Sequence, residues 1–196
     1  MLYFIKFPLI DKYMLPSDTT LKIVVFLLLS YVVGTIIQES SSFFLEKLRK
    51  HSRQNFLNKN SKIFQHGVLN EVQKFANIEF GKDINNDIFS EDENESLFFK
   101  AKAVLENLNK IKKADKFDAI FAMSRDFIVV NICVVICCII NILNPERLCL
   151  HIIIVLYSLI TLPLFFRRAK RYAEMRVRTI IRQYMSIKVV NEEAQN

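Results

Sequence analysis

Three apolar runs, residues 21–37, 127–143 and 148–166, punctuate the chain, and between and after them the pattern changes to mixed polar and apolar positions at helical spacing. None of the three contains an acidic residue, and each is long enough to cross a bilayer as a helix, which takes about 17–25 mostly apolar residues. The first is the shortest and carries Lys22 near its start, where a flanking lysine can snorkel to the interface. Only Asn144, Pro145, Glu146 and Arg147 separate the second and third, which predicts a helical hairpin.

The intervening segment reads as helices. Phe43, Phe44, Leu45 and Leu48 alternate with Glu46, Lys47, Arg49 and Lys50, so the first helix is expected to continue out of the membrane. A second helix is expected over 63–80, with Phe64, Val68, Val72, Phe75 and Ile78 on one face and Gly81 as its stop. Residues 82–94 are polar and predict a loop. Ser90 and Glu93 fit a capping box, after which Leu97, Ala101, Val104, Leu105, Leu108 and Ile111 form a single apolar stripe. Phe117, Ile120, Phe121, Ser124 and Ile128 then share a face without an interrupting Pro or Gly, predicting one long helix over 115–143.

Past the third run, Ala169, Ala173, Val177, Ile180, Ile181 and Tyr184 oppose a surface rich in arginine, the pattern of a basic amphipathic helix. Its first turns are expected on the inner membrane surface, with Arg167, Arg168, Lys170, Arg171, Arg178 and Arg182 as candidate contacts to anionic lipid, each cation gaining about 1 kcal/mol there.

The net charge of +7 is distributed unevenly. Lys47, Arg49, Lys50 and Arg53 follow the first run and the arginine-rich tail follows the third, whereas only Lys6 and Lys12 precede the first and only Arg147 lies in the hairpin loop. Cationic loops resist translocation, so both basic regions are expected in the cytoplasm, and the N-terminus and hairpin loop outside. That topology accounts for the charge without a nucleic-acid partner. Ile36, Ile37, Gln38 and Glu39 offer no small-residue cleavage site, so the first span is expected to be retained.

The expectation is an all-α integral membrane protein of the inner (plasma) membrane, with three transmembrane helices, a small cytosolic helical bundle and a basic C-terminal amphipathic helix. Its division is an outer interfacial segment 1–20, spans 21–38, 127–143 and 148–166, a cytosolic helical domain 39–126 and a basic tail 167–196.

Candidate chemistry is sparse. Cys133, Cys137, Cys138 and Cys149 all fall in or beside the spans, without the paired spacing of a zinc site, and read as packing residues. Neither metal nor cofactor is expected. Gly-rich phosphate loops and the common hydrolase motifs are missing from the sequence, so no catalytic residue is assigned. Within the first span, Ser30 and Gly34 form a small-xxx-small pair suited to close helix packing. In the hairpin, Asn131, Cys138 and Asn141 share a face of one span, and His151, Ser158 and Thr161 add polarity to the other. An antiparallel hairpin brings Asn141 level with His151, and Asn131 near Ser158 and Thr161. These side chains either join helices by hydrogen bonds or line a polar path through an oligomer. An ion-coupled transporter is disfavoured because no charged residue follows Lys22 inside the spans.

The junction running from Ala114 through Phe117, Phe121, Ser124, Arg125 and Asp126 to Phe127, together with the order of parts, resembles small bacterial inner-membrane proteins with one N-terminal span, a cytosolic helical insert and a C-terminal transmembrane hairpin. Some of these look like membrane effectors or accessories of antiphage and CRISPR systems. The resemblance implies oligomerisation and membrane perturbation on a cue received by the cytosolic helices. Separately, the polar stripe suffices for a pore assembled from several copies, and residues 39–126 are expected to bind a cytosolic protein. The competing expectation is an anchor or scaffold for such a partner.

Overall fold

The computed structural model describes residues 19–59, 61, 63–83, 88–140 and 148–193. The expected interfacial segment before residue 19, the hairpin loop 144–147 and Asn141 lie outside the described residues. Among those described, every regular element is a helix: α1 Thr19–Gln54, α2 His66–Phe80, α3 Glu91–Asn107, α4 Lys112–Ile140 and α5 Leu148–Glu193. Three of them, α1, α4 and α5, are long and apolar enough to span a membrane.

Two compact units divide the chain between Ser40 and Ser41, within α1. In the first, the span is apolar on all sides and its side chains are exposed, Leu27 at 60 % and Tyr31 at 75 % among them. Exposure of this kind suits a helix whose solvent is lipid.

The second unit is a helical lobe continuous with the α4–α5 hairpin. Its main core contains Phe56, Leu57, Leu69, Val72, Leu97, Phe98, Ala101, Leu105 and Ala114, closed by Val177, Ile180, Ile181 and Tyr184. The last four lie in the region expected as a basic tail: α5 runs unbroken through it to Glu193 and lays its apolar stripe into the lobe. The stripe was visible in the sequence, but its partner is protein where lipid was expected. A second cluster of Leu45, Phe121, Ile128, Ala169 and Ala173 joins α1, α4 and α5 where the lobe meets the hairpin.

Length explains how α5 serves both regions. Its 46 residues reach about 70 Å, against the roughly 30 Å of a hydrocarbon core. Pro163 lies inside this helix, in the apolar stretch where prolines are best tolerated.

Helix ends follow local chemistry. Gly81 takes a left-handed conformation, φ 63°, and its neighbour Lys82 N–H returns to Asn77 O at 2.8 Å, closing α2 as a Schellman motif. Asn109, φ 55°, ends α3 in the same way, with Lys110 N–H bonded to Leu105 O at 2.9 Å. This stop precedes Ile111, so the α3 stripe ends at Leu105 and Leu108 is exposed. The expected capping box is present: Ser90 Oγ accepts from Glu93 N–H, and Glu93 Oε2 accepts from Ser90 N–H at 2.9 Å. Its carboxyl is held below the ordinary value by Lys82 and then by the Ser90 backbone N–H.

Two other expectations shift in phase. α2 starts at His66, three residues late, and buries Leu69, Val72, Gln73, Ala76 and Asn77. Ile78, expected inside, is 68 % exposed, because the face is set by the loop packed against it. That loop carries Phe56 and Leu57, both fully buried. A buried loop must satisfy its own backbone. Here Leu57 N–H donates to Asn94 Oδ1 at 2.9 Å, and Leu57 O accepts from Gln73 Nε2 at 2.6 Å.

Candidate functional site

Polar groups converge at three places: along the hairpin, where the lobe meets it, and in an open cleft beside α5.

In the hairpin, Phe127 stacks on Phe165 with ring centroids 5.0 Å apart, and Thr161 Oγ1 lies 3.3 Å from Asn131 Oδ1. These rungs are four residues apart on both helices, the register of an antiparallel pair. The Thr161 hydroxyl has one proton and two acceptors at 3.3 Å, Asn131 Oδ1 and Ser158 O, while Asn131 spends its amide on Phe127 O at 2.9 Å. Ser158 is 1 % exposed, and Cys138 and His151 are also buried. The structure thus turns Cys138, His151 and Ser158 inward, while Asn131 and Thr161 are half-buried at the seam. Nδ1 of His151 has no hydrogen-bond partner among the described residues. Ser30 and Gly34 are exposed on the first span, and a Cβ added at Gly34 would meet nothing within 4 Å.

A network of charges ties the lobe together beyond the Phe127–Phe165 end of the hairpin. Arg49 pairs with Glu46 at 2.9 Å and with Asp118 at 3.6 Å, Arg53 with Glu95 at 3.3 Å, and Arg176 with Asp118 at 3.3 Å. α1, α3, α4 and α5 each contribute. Arg53 and Arg176 also lie over the rings of Phe99 and Phe98 at 5.4 and 5.7 Å. Burial lowers the pKa of Arg176, opposed by the Asp118 carboxylate and reinforced by Arg49 and Arg53. Closer to the hairpin, Asp126 accepts from Ser41 Oγ and pairs with buried Arg125 at 3.3 Å.

In the sequence Arg176 counts only toward the cationic region after the third run, and Asp118 and Arg125 only as members of the junction before Phe127. The signal was a polar residue in phase with an apolar stripe: Arg176 falls between Ala173 and Ile180, and Asn94 precedes Leu97, Phe98 and Ala101 at the same helical phase.

The cations assigned to lipid separate into two groups. Arg167, Arg168, Lys170, Arg171 and Arg182 are exposed. Arg178 instead donates through Nε to Ile63 O at 2.5 Å and fastens the loop after α1 to α5. Among the described residues, no group of three His, Cys, Asp or Glu is arranged to hold a metal ion. No protein-family model, curated protein or solved structure matches this chain.

Proposed function

We propose that this chain is a non-enzymatic, multi-pass inner-membrane protein that assembles with copies of itself through its spans and relays engagement of its cytosolic lobe into the membrane. The observation that carries this reading is the continuity of α4 and α5. Ala114 in the lobe core, Phe121 and Ile128 at the junction and Asn131 in the hairpin all belong to one helix, and Thr161, Ala169, Ala173 and Ile180 repeat the arrangement on another. A partner displacing the lobe displaces the hairpin as well, because helices of this length transmit tilt and rotation along their axes.

In its sharpest form the protein perturbs the membrane when engaged, in the manner of an antiphage effector or accessory. Half-buried Asn131 and Thr161, at the edge of the hairpin seam, are then the polar groups reachable from a neighbouring copy. Membrane potential in bacteria expressing the chain tests this form. Depolarisation abolished by Asn131→Leu, with the protein still in the membrane, supports it; depolarisation untouched by Asn131→Leu removes the polar seam from the mechanism. A parent that captures a cytosolic protein without changing the potential is a scaffold, the second reading. Gly34→Leu should weaken crosslinking between copies, and undiminished crosslinking would remove the first span from the assembly interface.

A further inference from the structure

Lys170 and Glu174 stand one turn apart on α5, just past the third apolar run, and border an open cleft of about 400 Å³. The facing wall is the end of α1 and the loop after it, with His51, Asn55, Asn58 and Ser61. That wall is organised in advance: Asn58 Nδ2 donates to Asn55 Oδ1 at 3.0 Å, and Asn55 Nδ2 lies 3.2 Å from His51 Nδ1. Elsewhere in the lobe, Glu46, Glu79, Glu93, Glu95 and Asp118 all form ion pairs. Glu174 is half-buried, yet among the described residues neither it nor Lys170 enters one, although their spacing permits a mutual pair.

Depth gives this pair a direction. Lys170 is four residues beyond Phe166, about 6 Å along the axis, which places it in the headgroup layer. Glu174 is about 6 Å farther from the hydrocarbon. Moving outward from the bilayer, the cleft therefore presents a cation and then an anion. A phospholipid whose phosphodiester carries a primary amine presents the complementary order, phosphate first and ammonium beyond it.

We propose that this cleft seats the headgroup of a phosphatidylethanolamine-type lipid, with the phosphate on Lys170 and the ammonium on Glu174. A glycerol headgroup would satisfy Lys170 and leave the carboxylate without a cation. A choline headgroup brings a cation that cannot donate a hydrogen bond. The exposed Arg167, Arg168 and Arg171 attract anionic lipid in general, whereas this cleft selects one headgroup. The assignment holds whichever way the chain is oriented and whether or not copies associate.

The test is native mass spectrometry of the delipidated full chain titrated with phosphatidylethanolamine, phosphatidylglycerol and phosphatidylcholine. The parent should favour phosphatidylethanolamine about fivefold over the other two. Glu174→Gln should bring that preference close to parity, Lys170→Gln should weaken phosphatidylethanolamine and phosphatidylglycerol alike, and Arg171→Gln, outside the cleft, should change neither. Asn55→Ala supplies a second variant on the opposite wall and should reduce the preference with the lobe's thermal transition retained. A parent without preference, or a folded Glu174→Gln that keeps it, overturns the proposal. Displacement of bound lipid by water-soluble O-phosphoethanolamine at equal concentration overturns the lipid source by showing that the acyl chains contribute nothing.

Discussion

Phe98 in the lobe and Phe26 in the first span are the same side chain in opposite circumstances. Phe98 is fully buried among residues of its own chain, while Phe26 is 47 % exposed. In the lobe, this protein must exclude water itself, so each core position has specified neighbours and a volume to fill. Along the span the bilayer does the covering, and a position need only be apolar. One apolar residue count therefore encodes a jigsaw in one region and a solvent preference in the other.

The largest effect should come from removing the part of α5 that closes the lobe's core. Truncation of residues 177–196 takes Val177, Ile180, Ile181 and Tyr184 out of the core. The lobe should lose its cooperative thermal transition and become sensitive to limited proteolysis while the hairpin stays in the membrane; a protected lobe would show that α5 is dispensable to the core.

Matched substitutions sharpen the contrast next. Phe98→Ala should cost about 3–5 kcal/mol in denaturant unfolding of the detergent-solubilised protein. Phe26→Leu should stay within about 0.5 kcal/mol. Equal costs would mean that the span also has a packed environment.

Arg176→Gln should destabilise the lobe by about 1–3 kcal/mol, less than a fully enclosed pair because the Asp118 side chain is 31 % exposed. A double-mutant cycle with Asp118→Asn separates the pairing from the desolvation of either partner.

The smallest effect is that of pH on the α3 cap. The Glu93 carboxyl titrates below its ordinary value of 4.5, held there first by Lys82 and then by the Ser90 backbone. A carboxyl depressed on folding contributes stability that is complete above 4.5 and is lost as pH falls through the folded value. Lowering pH from about 6 to about 3 should therefore reduce the parent's thermal midpoint slightly more than that of Glu93→Gln; identical losses would remove the cap from the acid response.

The elements most legible in the sequence were those with one-dimensional causes. The capping box at Ser90 and Glu93, the stop at Gly81 and the run of α1 beyond its span all rest on residues within a turn or two of one another. Asn109 was harder to read, because asparagine takes the left-handed conformation only in some contexts. In the candidate sites, the approach of Asn131 to Thr161 follows from a hairpin with a short loop, so spacing alone predicted it. The joint role of Arg49, Asp118 and Arg176 did not, since no local pattern announces which of many charges will meet across three helices.

The sequence by itself determined that this is a helical protein with three stretches suited to hydrocarbon, because transfer from water depends on composition and length alone. Only the tertiary structure decided what covers the remaining apolar stripes. Ala169, Ala173, Val177, Ile180 and Tyr184 suit a membrane surface and a protein core equally well by pattern, and the choice fell to protein because Leu45 and Phe121 cluster with the first two, and Phe98, Leu105 and Ala114, distant in the chain, with the last three. Hydrophobicity has no direction; complementary shape assigns one, and shape exists only once the helices have met.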